Sequence, residues 1–192
     1  YLSVLEHQSR FIIGRERVAG SPSPWAAKGV FYAMLGALES LYGSDEVMGR
    51  SFAIKGAGKV GRALCGLLYE RGARIIIADI DESQVRSVKK KYPRVEVVSP
   101  SEIHKQRVDV YAPCALGDEF TKKTIPQLRC QVICGGANNQ LATAEDGMRL
   151  HSWGILYVPD YLANAGGLIN VVGDIDKRGY SRRRVERKVR GI

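Results

Sequence analysis

The residues Gly56-Ala57-Gly58-Lys59-Val60-Gly61 carry the clearest chemistry in this chain. Three glycines at this spacing, between a β-type run and an amphipathic run, can cradle a pyrophosphate. Gly56 allows a tight turn off a strand. Gly58 has no Cβ to hold a phosphate away from the backbone, and Gly61 lets the next helix pack closely. That helix N-terminus presents unpaired N–H groups and the positive end of a dipole. Asp79 closes the next β-type run, 23 residues after Gly56, with Ile80 beside it. An acid there meets the adenosine ribose hydroxyls and repels a 2′-phosphate, so the pattern predicts NAD rather than NADP as cofactor.

The surrounding elements fit that task. Ser51 to Lys55 reads as a strand. Val60, Ala63, Leu64, Leu67 and Leu68 give the following helix an apolar face, and Gly72 is a fitting stop. Upstream, residues 25–42 read as a helix with Ser23 as N-cap and Pro24 in its first turn. Its stripe is Ala27, Val30, Phe31, Met34, Leu35, Leu38 and Leu41, closed by Gly43. Downstream, strands are expected at 95–98, 108–111, 131–134 and 155–158. Helices are expected at 82–92, at 141–150 and from about residue 168. Strands alternating with helices predict an α/β chain: a Rossmann-type, doubly wound, mainly parallel sheet forming one cofactor domain with flanking helices. Loops at Gly56, Pro113-Cys114, Gly136–Asn139 and Pro159–Asn164 all follow strands and should converge on one cleft.

A chain of 192 residues suits one domain with appendages. Residues 1–23 are expected to be an N-terminal helix and connector, the remnant of a link to a missing domain. Residues 24–192 would be the cofactor domain with a basic C-terminal helix. The opening is apolar at once and has no Met, which suggests a chain beginning inside a larger protein. No apolar run approaches a membrane span, and the first residues do not form a signal-peptide pattern. Cys65, Cys114, Cys130 and Cys134 have no paired metal spacing. They read as reduced thiols of a cytoplasmic protein, with Cys130 and Cys134 on one face of a strand. No metal site is expected.

The net charge of +9 is local: the segment from Lys177 to Arg190 holds eight Lys or Arg and one Glu. Val185, Val189 and Ile192 recur there at helical spacing, so the basic residues read as the solvated face of an amphipathic helix. An anionic partner or nucleic acid is the alternative, and no aromatic interleaving supports it.

The order of the loops is more specific than the fold. Ser21-Pro-Ser-Pro24, Gly56-Ala-Gly-Lys-Val-Gly61, Ala112-Pro-Cys-Ala-Leu-Gly117, Gly136-Ala-Asn-Asn-Gln-Leu141 and Pro159-Asp-Tyr-Leu-Ala-Asn-Ala-Gly-Gly167 occur in that sequence. Thr124-Ile-Pro-Gln-Leu128 fits with them. Together they resemble the leucine/phenylalanine/valine dehydrogenase branch of the amino-acid dehydrogenases, over nearly the whole chain from Phe11. The resemblance implies oxidation of an apolar L-amino acid to its 2-oxo acid and ammonia, with reduction of NAD. It implies that Cys114 and Ala115 run along the cofactor and that Asn138 or Asn139 contacts its nicotinamide side. Asn164 would bind where nicotinamide meets substrate, and Leu168 and Val171 would wall the substrate side chain. It also implies homo-oligomers of the full-length protein.

Two departures matter. The family pattern has a hydroxyl residue where this chain has Ala26. The lysines and aspartate that such enzymes use for acid–base chemistry are expected in an N-terminal catalytic domain, the aspartate just before residue 1. No matching glycine–lysine segment occurs here, and neither Lys28 nor Lys55 is a credible substitute, so no catalytic residue is expected in this chain. His7, His104 and His151 are not assigned to catalysis. A stand-alone, non-catalytic NAD-binding regulatory module is the alternative reading.

Overall fold

The computed structural model describes residues 19–115, 117 and 119–192. Most of the expected N-terminal helix and connector, with His7, lies outside the described residues, as do Leu116 and Asp118.

Helix α1 (Ser23–Tyr42) buries Trp25, Ala27, Val30, Phe31, Met34 and Leu38 and ends on Gly43 in the left-handed region. Two expectations need correction here. Ser23 is the first helical residue rather than the cap. Pro22, with φ held near the helical value by its ring, takes the cap, and its carbonyl accepts the N–H groups of Trp25 and Ala26 at 3.1 and 2.9 Å. Leu41, expected in the apolar stripe, is exposed because the last turn runs past the edge of the core.

The strands are β1 (Ser51–Lys55), β2 (Arg74–Ala78), β3 (Glu96–Val97), β4 (Val108–Pro113), β5 (Cys130–Ile133) and β6 (Leu156–Tyr157). They form one six-stranded sheet in the order β3-β2-β1-β4-β5-β6, every pair parallel. Helices α2 (Lys59–Tyr69) and α3 (Glu82–Lys91) carry the chain from β1 to β2 and on to β3. After β1–β3 the winding reverses, and β4 pairs with β1 from its other side. This is the doubly wound order in which ligands sit outside the strand carboxyl ends at the reversal.

Alternation along the strands sorts the core into two layers. Phe52 and Ile54 of β1 and Val110 and Ala112 of β4 join the layer under α1 and α2. Ala53 and Tyr111 point to the opposite layer with Ala78, Phe120 and Ile133. There the small Ala53 and Ala78 leave room for Tyr111 and Phe120, whose rings meet edge to face at 6.0 Å. Cys134 belongs to the first layer and Cys130 to the second, so the two cysteines do not share a face. Cys130 opens β5, where the turn Ile125–Gln127 and Leu128 enter from the second layer.

Helix α4 (Ala144–Ser152) joins β5 to β6. It starts three residues later than the periodicity predicts. Leu141 bridges to Phe120 as an extended residue, and the Asp146 carboxylate takes the Thr143 N–H and hydroxyl at the helix start. After β6 come α5 (Asp160–Ala163), α6 (Ala165–Val172) and α7 (Arg182–Val189). Helix α6 thus begins before Leu168 and contains the Gly166-Gly167 pair, which serves helix crossing rather than a turn. A Cβ on Gly166 would lie 2.1 Å from the Trp25 carbonyl oxygen. On α7, Val185 and Val189 are buried against Trp25 while Arg183, Arg187 and Lys188 face solvent, the amphipathic arrangement expected of this segment. Among the described residues no helix is long and apolar enough to cross a membrane.

Candidate functional site

The glycine turn stands at the carboxyl end of β1. Gly56 has φ of 109°, in the region open to glycine, and a Cβ there would lie 2.8 Å from the Cys114 carbonyl. Gly61 packs directly on the turn: its Cβ would sit 1.9 Å from the Gly56 carbonyl oxygen. Gly58 has nothing within 4 Å of the place its Cβ would occupy. It precedes α2, no side chain caps that helix, and no acid lies in its first turn. Open space, an uncapped helix N-terminus and the exposed Lys59 beside it suit a pyrophosphate. Val60 turns inward against Gly136.

Asp79 closes the turn from the side. Its carboxylate accepts the Ala57 N–H at 2.6 Å and the Asp81 N–H at 2.9 Å. It is therefore fixed at the exit of β2, ready to receive hydroxyl groups with its remaining lone pairs. Ile80 next to it is 89% exposed, an apolar side chain offered to solvent at the rim.

The other three loops reach this turn by contact. Cys114 and Ala115 lie against Gly56, and the Cys114 N–H donates to the Lys55 carbonyl at 2.7 Å. A Cβ on Gly136 would lie 2.8 Å from Val60 and 3.8 Å from the Cys114 sulfur. Burial pushes the Cys114 thiol up to about 11, against a smaller opposing effect of the Gly136 N–H, which leaves a protonated packing group and no nucleophile. The last two loops are clasped by side chains. The Asn164 amide donates to the Asn138 carbonyl oxygen at 2.6 Å. The Asn139 N–H donates to the Asp160 carboxylate at 2.5 Å, and Asn139 holds φ of 53°. The structure thus separates the neighbouring asparagines: Asn138 pairs with Asn164, and Asn139 makes the left-handed bend that lets it do so.

Beyond Asn164, α6 presents Leu168, 64% exposed, with the half-buried Val171 one turn on. Ala26 faces Gly167, so its methyl group lies beside the first turn of the same helix.

Spacing gave no sign of two features. One is Asp160, whose second oxygen takes the Tyr161 N–H at 2.7 Å; its place after Pro159, opening a short helix, was the only sequence signal. The other is Glu119, whose side chain is 8% exposed and pairs with Lys55, while the Tyr111 hydroxyl donates to it at 2.6 Å. Burial and then the neighbouring Glu119 carboxylate push the Tyr111 hydroxyl far above its ordinary range. Lys28 is likewise engaged, with Glu186 at 2.6 Å. Both lysines are committed to ion pairs.

Comparison with known proteins gives the family. The family model for glutamate/leucine/phenylalanine/valine dehydrogenase matches residues 24–188. Leucine dehydrogenase of Bacillus subtilis is 41% identical over 174 residues, covering 91% of this chain and 47% of that protein. Phenylalanine dehydrogenase of Thermoactinomyces intermedius is 42% identical over 174 residues, 90% of this chain and 47% of that protein. The crystal structure of L-tryptophan dehydrogenase from Nostoc punctiforme superposes with a TM-score of 0.85 at 39% identity, over 88% of this chain and 51% of that one. The chain spans about half the length of these relatives.

Proposed function

This chain belongs to the glutamate/leucine/phenylalanine/valine dehydrogenase family, and from that premise we propose that residues 24–192 are the NAD-binding domain of an enzyme oxidising an apolar L-amino acid to its 2-oxo acid and ammonia. The observation that carries the reading is the contact of the glycine turn with Cys114 and of Val60 and Cys114 with Gly136, whose loop goes on to the Asn138–Asn164 pair.

NAD, when bound, supplies the hydride acceptor. Gly56, Gly58 and Gly61, with the first-turn N–H groups of α2, would hold its pyrophosphate. Asp79 would take the adenosine ribose, its charge disfavouring a 2′-phosphate, with Ile80 as an apolar wall. Cys114 and Ala115 would line the path between the two ends. Asn164, oriented by Asn138, keeps an amide oxygen and one N–H free to fix the nicotinamide and substrate groups. Leu168 and Val171 offer no polar group to a substrate side chain, which supports an apolar one.

In this reading the general base and the carboxylate-binding lysine lie outside this chain; the engagement of Lys28 by Glu186 and of Lys55 by Glu119 supports it. Closure of a second domain over the cleft would then exclude water during hydride transfer. The reading includes a homo-oligomeric full-length enzyme in the cytoplasm, where its free thiols stay reduced.

Calorimetric titration with NAD and NADP tests the cofactor assignment: NAD should bind more tightly, and equal or inverted affinities would overturn it. Formation of reduced nicotinamide, with leucine, phenylalanine or tryptophan as substrate, tests the reaction. The chain alone should give none, and the full-length protein should favour one of the three. Turnover by this chain alone would place the base within it. A full-length protein that binds NAD but oxidises no amino acid would favour the non-catalytic regulatory module.

A further inference from the structure

The opposite edge of the sheet, where the strands begin, carries a row of arginines that the cleft does not use. Arg74 opens β2 and its N–H donates to the Arg50 carbonyl at 2.8 Å, just before β1. Arg107 precedes β4 and Arg129 precedes β5, tied by the Val108 N–H donating to the Arg129 carbonyl at 3.3 Å. Four adjacent parallel strands therefore bring one arginine each to the same edge, in the order Arg74, Arg50, Arg107, Arg129. Neighbouring strands stand about 4.8 Å apart, so like charges are crowded in a row, an arrangement that is destabilising unless compensated.

The acid in the row, Asp109, is already occupied. It accepts the Ser51 N–H at 2.8 Å, the Ser51 hydroxyl at 2.6 Å and the Tyr42 hydroxyl at 3.2 Å, and it lies 3.8 Å from Arg50. Arg50 is itself stacked over the Tyr42 ring at 3.8 Å. Among the described residues, none of Arg74, Arg107 and Arg129 has a carboxylate within ion-pair distance. Those three, with Ser51, Asp109 and Gln131, line a cavity of about 300 Å³. The Tyr42 hydroxyl, which has one proton, stands between the Gln131 side-chain oxygen at 2.8 Å and Asp109.

We propose that this edge binds a polyphosphate group, free or carried by a nucleoside triphosphate, with Arg74, Arg107 and Arg129 as its ligands. Guanidinium forks match phosphate oxygens bidentately. A row spaced across strands answers several linked anionic groups better than a single one. A cavity of this size admits a small polyanion and not the side of a nucleic-acid duplex. Strand β1 separates this edge from Gly56 by five residues, about 17 Å of extended chain, so the site is distinct from the cofactor cleft and can be filled at the same time.

Titration of the protein with sodium tripolyphosphate and with ATP, at fixed ionic strength, tests this by calorimetry. Saturable one-to-one binding is expected. It should weaken about tenfold or more in each of Arg74→Gln, Arg107→Gln and Arg129→Gln, the scale of one lost charge-assisted hydrogen-bond pair. It should be unchanged in Arg183→Gln/Arg187→Gln on the basic face of α7, and unchanged by saturating NAD. Similar binding of both ligands assigns recognition to the phosphate chain, and preference for ATP assigns it to the nucleotide as carrier. Absence of saturable binding, equal loss in the α7 variant, or displacement by NAD would each overturn the proposal. These substituted side chains are exposed, so folding is not at risk, and the outcome does not depend on whether NAD is the cofactor.

Discussion

The two halves of the cleft are built from different materials. On the β1–α2–β2 side the groups available to a ligand are mostly backbone: glycines without Cβ atoms, an uncapped helix end, and one carboxylate that fastens the turn it stands beside. On the β5–β6 side separate loops are tied through side chains, the Asn164 amide to the Asn138 side-chain oxygen and the Asn139 backbone N–H to the Asp160 carboxylate, across 26 and 21 residues of sequence. The first half suits a ligand part that never changes, a pyrophosphate. The second suits the end where, in the proposed function, the nicotinamide meets an amino acid. Backbone recognition fails when something is added, and side-chain recognition fails when something is removed.

The sharpest way to break that contrast is Gly61→Val. Its side chain would collide with the Gly56 carbonyl oxygen, and NAD affinity should fall by about 100-fold or more, some 3 kcal/mol. Fluorescence titration reads this directly, and unaltered affinity would mean that the turn is not the phosphate cradle. Next comes Asn164→Ala in the full-length enzyme. Turnover should fall about 100-fold, the scale of losing a positioned hydrogen bond at a reacting centre, while ADP-ribose binds as before. If ADP-ribose affinity drops as well, the halves are not separable. Asp79→Ala should weaken NAD about tenfold, one charge-assisted pair, and narrow the preference over NADP. An unchanged preference would remove the ribose assignment.

A smaller effect is expected of Asp160→Ala. It frees the Asn139 N–H and costs about 1 kcal/mol of stability with a few-fold loss of turnover, partly rescued by Asp160→Asn, whose carbonyl oxygen can still accept. Asp109, at the other edge of the sheet, supplies a control outside both halves. Burial pushes its carboxyl up, but Ser51, Tyr42 and Arg50 outweigh that and hold it below the ordinary carboxylate value. Its stabilising contribution is therefore present above about pH 4 and is lost as pH falls through the lowered folded value. Thermal melts of Asp109→Asn against the unaltered chain should differ at neutral pH and converge in acid, with NAD affinity at neutral pH unaffected.

The backbone half was legible because its requirements are local. Gly56, Gly58, Gly61 and Asp79 fall within one strand–helix–strand unit, and each is needed for a conformation or a clearance that spacing expresses. The long helix α1 was legible for a similar reason, since its buried positions recur at the helical period. The errors lie where a second segment decides. Periodicity could not show that Gly166-Gly167 lies inside a helix, because Gly166 serves the approach of Trp25 and Gly167 faces Ala26, both on α1. It could not separate Cys130 from Cys134, because the turn before β5 determines which layer receives the strand's first residue. Lys55 carried no mark of its partner Glu119, which lies 64 residues away.

The sequence by itself determined the alternation of strands and helices, the glycine turn, the acid at the end of β2 and the family to which the loops belong. Each follows from steric and periodic rules acting over a few residues. Tertiary structure alone decided which asparagine meets Asn164, that Asp160 holds the bend between them, that both candidate lysines are already paired, and that four arginines line one sheet edge. These depend on which strands become neighbours. That is fixed by burying both faces of a parallel sheet at once, a condition on the whole chain that no local spacing records.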